Sequence, residues 1–293
     1  TGAVVVGANV SVTVTGGIGF NDAIDAANAS SNDRTLTLDA GTGSAISVTG
    51  GIGGSQALAG LTVTQSNAAT FLGAVDVSDS SSGTITLTDT TDSRNIGFNG
   101  NVTADSFVTA AQGYNLFLNG DTTITNAVTF QNTGTLDLGN TAADTLTFNG
   151  GVTENTSGTV TIHGAIVSSN DAISFGAISL GQNLSVTSAG GAISIGAISA
   201  ASSRDVTITS SGGSTNTVTL STLSSNINTV AITGSTSVTL NGNITTDNSS
   251  GNSVTVTGTT INTGAITIDT NNSSNDGAIT FDGAIAGGNN NLA

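Results

Sequence analysis

A short unit of two alternating apolar residues, a glycine and a further apolar residue recurs along most of the 293-residue chain. At one place it repeats almost letter for letter at an offset of twenty residues, as AISFGAISL from Ala172 and AISIGAISA from Ala192. A chain that reuses one piece of local geometry is typical of a solenoid, in which each repeat packs only on its neighbours. The repeat therefore favours a stacked, repetitive fold over a globule.

Apolar residues alternate with Thr or Ser inside the repeats, which predicts short β-strands with one face turned inward. Many of these strands are followed by a glycine and then by another apolar residue. Glycine adopts positive φ at low cost, so we expect the chain to turn a corner at these positions. The predicted corner glycines are Gly100, Gly150, Gly164, Gly176, Gly196, Gly242 and Gly283.

The leading apolar residues of successive strands set the repeat length. Ile173, Ile193, Val218 and Val238 follow one another at steps of 20, 25 and 20 residues. This spacing is much shorter than the repeat of tandem sandwiches. The sequence predicts an all-β, right-handed parallel β-helix (β-solenoid) with about 20–25 residues per rung and about 13 rungs. We expect one continuous solenoid over residues 1–293, as an excerpt of, or a subunit in, a longer repeat array.

Charge and composition exclude several classes of function. The formal net charge is −16, with only three basic residues, so no basic stripe exists to bind nucleic acid. The chain contains no Cys, and His163 is its only histidine, so neither a thiolate nor a histidine pair can build a catalytic or zinc site. We expect a protein that is not an enzyme, holds no cofactor and does not span a membrane, since no apolar run approaches ~18 residues.

Loop aspartates are the candidates for a cation site, because Ca²⁺ binds several hard oxygen ligands. The candidates are Asp76, Asp79, Asp89 and Asp92. A solvated acidic surface without a bound ion is the competing interpretation.

One aromatic residue breaks the alternation within the segment YNLFLNG. If Leu116 and Leu118 point inward, Phe117 points outward. An exposed aromatic side chain on a repeat protein predicts a contact between subunits, which we assign to Phe117 and the nearby Tyr114. The alternative is a β-bulge that buries Phe117.

Thr-x-Thr pairs recur in the predicted strands and would align hydroxyl groups on a flat face. They predict, as an alternative function, a carbohydrate- or ice-binding module with a Thr-rich face, although ordinary outward alternation explains them as well. The pairs are Thr62 with Thr64, Thr145 with Thr147, Thr217 with Thr219, and Thr255 with Thr257.

The segment from Leu38 to Asp79 contains an AGTG turn, a GGIGG bend, an L-x-x-L-x-V strand and an F-x-G-A-V strand. In these motifs it resembles the tandem repeats of large bacterial β-strand-repeat surface proteins, the filamentous haemagglutinin-like and adhesin exoproteins. The resemblance implies a β-helical or related repetitive fold, export to the cell surface, and roles in adhesion or extracellular filaments.

Together these observations predict a structural, secreted protein at the cell surface. We expect it to be a building block of a filament or adhesin stalk, held together by stacked rungs and by end-to-end or lateral self-association. Its predicted partners are copies of itself or continuing repeats, and a host or surface glycan. A polysaccharide-cleaving β-helix enzyme is disfavoured, because such enzymes combine Asp with Lys or Arg and basic residues are sparse here.

Overall fold

The protein folds as an all-β solenoid, which confirms the predicted fold class. The computed structural model describes residues 2–27, 34–79, 82–213, 216–224, 226–247, 252–272 and 275–287. Within these ranges there is no α-helix, and parallel strands stack in about 11 turns. The chain has no proline, which fits strands whose N–H groups are committed to ladder hydrogen bonds.

The chain divides into two compact units. Unit 1 comprises residues 1–140, 144–148 and 154–159, and unit 2 comprises residues 141–143, 149–153 and 160–293. The prediction of one continuous solenoid over residues 1–293 stays a prediction.

Unit 1 contains three parallel ladders of short strands. Its strands are β1 (Val4–Val6), β2 (Val10–Thr13), β3 (Ile18–Phe20), β4 (Ile24–Ala26), β5 (Thr35–Asp39), β6 (Ala45–Val48), β7 (Gly60–Gln65), β8 (Ala68–Phe71), β9 (Val75–Val77), β10 (Thr84–Leu87), β11 (Asn95–Phe98), β12 (Val102–Ala104), β13 (Ser106–Thr109), β14 (Asn115–Leu118), β15 (Thr122–Ile124), β16 (Val128–Phe130), β17 (Leu136–Leu138) and β18 (Thr145–Phe148). The first ladder is β2-β5-β7-β10-β13-β16 and the second is β3-β6-β8-β11-β14-β17. The third contains β1-β4 and β9-β12-β15-β18, joined through Ile52.

Inward side chains of successive turns lie directly over one another in unit 1. In the first ladder Leu36 pairs with Leu61, Leu61 with Ile85, and Ile85 with Phe107. All four side chains are buried. Burying such a side chain contributes about 1.5–3 kcal/mol, but only when turns on both sides cover it. Each inner turn of the unit therefore depends on its two neighbours.

A column of phenylalanine rings fills much of the interior of unit 1. Phe71 stacks on Phe98 with ring centroids 4.7 Å apart and planes 10° from parallel. Phe98 meets Phe107 edge to face at 5.9 Å, and further contacts at 6.1 and 5.9 Å link Phe107 to Phe130 and Phe130 to Phe148. These rings come from all three ladders, so the column ties the ladders together across the core.

Unit 2 also contains three parallel ladders. Its strands are β19 (Val152–Glu154, of which 152–153 belong to this unit), β20 (Val160–Ser168), β21 (Ile173–Phe175), β22 (Ile178–Ser188), β23 (Ile193–Ile195), β24 (Ile198–Ala200), β25 (Arg204–Ser210), β26 (Thr217–Leu220), β27 (Ile227–Gly234), β28 (Ser237–Leu240), β29 (Ile244–Thr245), β30 (Asn252–Thr257), β31 (Thr260–Asn262), β32 (Ile268–Asp269), β33 (Asn271–Asn272), β34 (Asn275–Asp276), β35 (Ala278–Asp282) and β36 (Ile285–Ala286). The first ladder is β19-β21-β23-β26-β28-β31-β36 and the third is β20-β22-β25-β27-β30-β35. The second runs from the first halves of β20 and β22 through β24, Leu223, β29 and β32, whereas β33 and β34 form a small antiparallel hairpin.

The predicted register of unit 2 is confirmed. Ile173, Ile193, Val218 and Val238 are consecutive partners in the first ladder. The step between partners ranges more widely than predicted, from 18 residues between Val160 and Ile178 in unit 2 to 28 between Ile18 and Ile46 in unit 1. The loops that connect the strands therefore vary in length from turn to turn.

Six of the seven predicted corner glycines lie at bends or short connections between strands. Their positions are Gly100 between β11 and β12, Gly150 between β18 and β19, Gly176 between β21 and β22, Gly196 between β23 and β24, Gly242 between β28 and β29, and Gly283 between β35 and β36.

Gly283 has the predicted positive φ, of 147°, but at Gly100 the reason for glycine is a different one. Gly100 does not have a positive φ. A Cβ atom there would instead lie 2.6 Å from the backbone N of Ala74 and the backbone C of Gly73 in the neighbouring turn. The same constraint applies to Gly73, because a Cβ atom on it would lie 2.6 Å from the backbone N of Gly51. Glycine is required at Gly100 and Gly73 because the backbones of successive turns approach too closely there to leave room for a side chain.

Gly164 was also predicted to be a corner, and it has the predicted positive φ, although the strand continues through it. It lies buried inside the nine-residue strand β20, with φ of 109° and a shift of register between Ile162 and Gly164. The positive φ bends the strand at a bulge without ending it, so the second and third ladders share one strand here. Its neighbour His163 is half-buried, and its ring lies where a side chain on Gly181 of the next turn would be.

Candidate functional site

A small groove on the outer face of unit 1 carries an aromatic side chain. It lies on the second ladder and has a volume of about 240 Å³. We call it the Phe117 groove, and its lining residues are Thr70, Asn95, Gly97, Asn99, Phe117 and Asn119.

The ladder register builds this groove. Gly97 on β11 pairs with Thr70 on β8 and with Phe117 on β14. All three occupy outward positions, because their sequence neighbours Ile96, Phe98, Leu116 and Leu118 are buried. A Cβ atom on Gly97 would meet only the Oδ1 of Asn99, at 3.7 Å. The bare backbone of Gly97 is therefore the floor of the groove, and Phe117 and Thr70 lie on either side.

Asparagine amides flank the floor. The Nδ2 of Asn119 donates to the Oδ1 of Asn99 at 2.8 Å, and the Nδ2 of Asn115 donates to the Oδ1 of Asn95 at 3.0 Å. The bond between Asn119 and Asn99 does not use the Nδ2 of Asn99 or the Oδ1 of Asn119. The groove thus presents both donor and acceptor groups, which is what a ligand with hydroxyl groups requires.

The structure separates the two aromatic residues that were predicted as a subunit contact. Phe117 is half-buried in the groove and points outward. The assignment of Tyr114 to a subunit contact is wrong, because its side chain is completely buried. Its hydroxyl donates to the carbonyl of Leu87 at 3.3 Å and accepts from the N–H of Ala110 at 3.2 Å. Burial raises the pKa of Tyr114 well above its usual value.

The inward position of Tyr114 follows from the same alternation that exposes Phe117. Tyr114, Leu116 and Leu118 are two residues apart, so all three point to the same side of β14 and the residue before it. The sequence therefore contained the signal that excludes Tyr114 from an outer surface.

The calcium candidates do not form a cation site. No group of three or more His, Cys, Asp or Glu side chains that could hold a metal occurs in the part of the chain that the structure describes. The Oδ1 of Asp76 accepts from the N–H and hydroxyl of Ser78, at 3.0 and 2.6 Å. The Oδ2 of Asp89 accepts from the Nε2 of Gln65 at 3.4 Å, Asp79 is half-buried and Asp92 is exposed. The structure thus does not bring the four aspartates together.

The first described turn of unit 1 and the last described turn of unit 2 expose side chains whose register partners in the neighbouring turn are buried. Val10 on β2 is 37% exposed, whereas its register partner Leu36 is 2% exposed. In unit 2, Ile285 on β36 is 46% exposed, although its partner Thr260 is buried. Val4 and Ile279 are exposed in the same way, although their partners Ile24 and Val254 are buried. We call the surface of β1, β2 and β3 in unit 1, and that of β35 and β36 in unit 2, the open edges.

The third ladder of unit 2 carries an ordered array of hydroxyl groups. Thr187, Thr209, Thr233 and Thr257 are consecutive partners at outward positions. A parallel column two residues away contains Ser185, Thr207, Ala231 and Thr255. We call these eight residues the threonine lattice. Its spacing is about 4.8 Å between strands and about 6.7 Å along each strand.

The Thr-x-Thr pairs predicted from the sequence do not share one face. Thr62 lies on the first ladder of unit 1, and Thr147 lies on its third ladder. Thr219 lies on the first ladder of unit 2, and only the pair Thr255 and Thr257 belongs to the threonine lattice.

Comparison with known protein families, curated proteins and solved structures gives no match for this chain. Among the described residues, no helix has the length and apolar character needed to cross a membrane.

Proposed function

We propose that this protein is a structural building block of a cell-surface filament or adhesin stalk, extended by stacking of one copy on the next. The observation that carries the proposal is the exposure of inward-facing residues at the open edges. Val10 and Ile285 have the side-chain direction of core residues, and no turn among the described residues covers them. A further rung, from continuing repeats or from a second copy of the same solenoid, would cover them.

Backbone chemistry supports a β-rung as the occupant of each open edge. Among the described residues, the strands β2 and β36 each have a partner on one side only, β5 and β31 respectively. Unpaired N–H and C=O groups on a strand edge are a template for another strand. Because every ladder of the two units is parallel, the edge of unit 1 in one copy matches the edge of unit 2 in another.

The acidic charge opposes this association and makes it depend on salt. Copies with a net charge of −16 repel one another, and no lysine and only three arginines compensate. Screening at an ionic strength of 1 M shortens the Debye length to about 3 Å, compared with about 10 Å at 0.1 M. Stacking should therefore become stronger as salt is added.

Extracellular localisation is part of the proposal. It is supported by the resemblance of residues 38–79 to repeats of bacterial surface proteins. The lack of cysteine is compatible with an oxidising compartment, where a free thiol would be reactive.

Sedimentation velocity tests the stacking. We expect the wild-type chain to form larger species as its concentration or the salt concentration rises. Val10→Lys and Ile285→Lys each place a charge on an open edge, so we expect both variants to remain monomeric with unchanged circular dichroism.

The matched control is Val108→Lys, which adds the same charge at an exposed outward position in the middle of the first ladder of unit 1. This variant should associate like the wild type. A wild-type chain that stays monomeric at all concentrations, in low and high salt, would refute self-association.

The threonine lattice favours a second function, the binding of ordered water at an ice surface. Hydroxyl groups repeat there at distances of about 4.8 and 6.7 Å on a parallel ladder. Seven of its eight members are Ser or Thr, and Ala231 is the exception. Such regular spacing can match a crystalline surface, which scattered hydroxyl groups cannot do.

Thermal hysteresis and inhibition of ice recrystallisation test this second function. Thr209→Lys interrupts the centre of the lattice and should abolish any activity of the wild type. Thr219→Lys changes an outward threonine of the first ladder and should retain it. Absence of activity in the wild-type chain would reject ice binding without affecting the proposed stacking.

A further inference from the structure

We propose that the Phe117 groove binds a single ring of a neutral sugar. This site is on the outer face of unit 1, away from the open edges, and does not depend on stacking between copies. It would give a structural protein a second activity, which is attachment to a neutral polysaccharide.

The chemistry of the lining favours a sugar. One wall is an aromatic ring, whose electron-rich face attracts the weakly positive C–H groups of a pyranose. The remaining lining side chains are Thr70 and the amides of Asn95, Asn99 and Asn119, which donate to and accept from hydroxyl groups. A purely apolar ligand would remove water from the amide atoms that the bond between Asn119 and Asn99 does not use, which is unfavourable.

The geometry places these groups around one ring. Asn95 at the start of β11 and Asn99 just after its end lie two residues on either side of Gly97, about 6.7 Å from it along an extended chain. Phe117 and Thr70 lie on the two neighbouring strands, about 4.8 Å away. A ring seated on the bare backbone of Gly97 therefore has the aromatic side chain beside it and amides at both ends.

The volume limits the size of the ligand. At about 240 Å³ the groove is smaller than the ~300–1,000 Å³ of pockets that enclose a drug-sized molecule. One sugar ring of a longer chain is the appropriate occupant, with the rest of the chain lying on the outer surface.

Charge selects a neutral sugar over an acidic one. The lining contains no charged side chain, so nothing there balances a carboxylate or sulfate. The outward residue that follows Phe117 in the ladder is Asp137, and the chain has a net charge of −16. Both would repel uronic acids and sulfated sugars.

A tryptophan reporter tests the groove in the full chain. The protein contains no tryptophan, so Phe117→Trp introduces a single fluorophore that keeps an aromatic wall. We expect its emission to change saturably with cellotetraose or maltotetraose, and not with tetragalacturonate. Adding Asn99→Ala should weaken the apparent Kd at least tenfold, because it removes the amide pair with Asn119.

Two controls keep the result specific. Val108→Trp places a tryptophan at an exposed position on the first ladder and should not respond to any of the sugars. Calorimetry should detect binding to the wild-type chain and lose it in Phe117→Ala, with unchanged circular dichroism in both.

Several outcomes would overturn the proposal. They are the absence of a saturable change with both neutral sugars, an equal response of Val108→Trp, or a preference for tetragalacturonate. If Phe117→Ala instead lowers self-association in sedimentation experiments and leaves sugar binding unchanged, the groove is a lateral contact between copies.

Discussion

Phe98→Ala should destabilise the protein by about 3–5 kcal/mol, the range for removal of a buried phenylalanine. Phe98 is fully buried and contacts both Phe71, at 4.7 Å, and Phe107, at 5.9 Å. Truncation opens a cavity in the aromatic column and removes two ring contacts, each of which contributes about 0.5–1.5 kcal/mol beyond burial. Urea unfolding followed by far-ultraviolet circular dichroism measures the loss.

Phe117→Ala is the matched control, because it makes the same chemical change on the adjacent strand of the same ladder. The side chain of Phe117 points outward, so we expect a loss of about 1 kcal/mol or less. Equal losses for the two variants would mean that the assignment of inner and outer faces is wrong.

Gly100→Ala should destabilise the protein by about 2 kcal/mol or more, although it adds only a methyl group. The new Cβ would lie 2.6 Å from backbone atoms of Gly73 and Ala74. These atoms belong to the neighbouring turn and are held by its ladder hydrogen bonds, so relief requires the two turns to separate. The midpoint of urea unfolding should fall accordingly.

Gly43→Ala is the control for this substitution. Gly43 lies in an exposed turn, does not have a positive φ, and has no atom within 4 Å of an added Cβ. Alanine there should be neutral or stabilising by about 0.4–1 kcal/mol, because it restricts the unfolded chain. A similar loss at both positions would contradict the close approach of turns at the corner.

The alternation of apolar residues predicts most of the core. Leu116, Leu118 and Ile173 are buried as expected, because a period of two assigns each residue to one face without knowledge of its partner. The same reasoning places Phe117 outside. Tyr114 was misassigned because it was grouped with Phe117 by proximity, although its parity is that of Leu116.

Register is predictable where successive strands repeat a recognisable apolar pattern. Ile173 and Ile193 are paired as expected, since the two copies differ little in sequence. Between Ile18 and Ile46 the step is 28 residues, and no local signal indicates how much of the loop belongs to the turn. The threonine lattice was not predicted, because its columns are formed by strands that follow one another at different intervals along the sequence.

Contacts across the interior depend on how a whole turn closes, so no single segment of sequence predicts them. The column from Phe71 to Phe148 joins strands of different ladders, whose distance depends on every corner between them. Serines at inward positions were also missed, since serine usually marks the outer face. Ser188 and Ser210 are buried in unit 2, and their hydroxyls donate to the carbonyls of Asp171 and Gly191, at 3.2 and 2.8 Å.

Disulfide trapping between copies tests the proposed stacking most directly. The chain contains no cysteine, so Ser11→Cys on β2 and Ala286→Cys on β36 each introduce a single thiol at an outward position of an open edge. Stacking of the edge of unit 1 in one copy on the edge of unit 2 in another predicts that a mixture of the two variants forms mixed dimers on mild oxidation. Mixed dimers that form no faster than those between Val108→Cys and Ala286→Cys would contradict it.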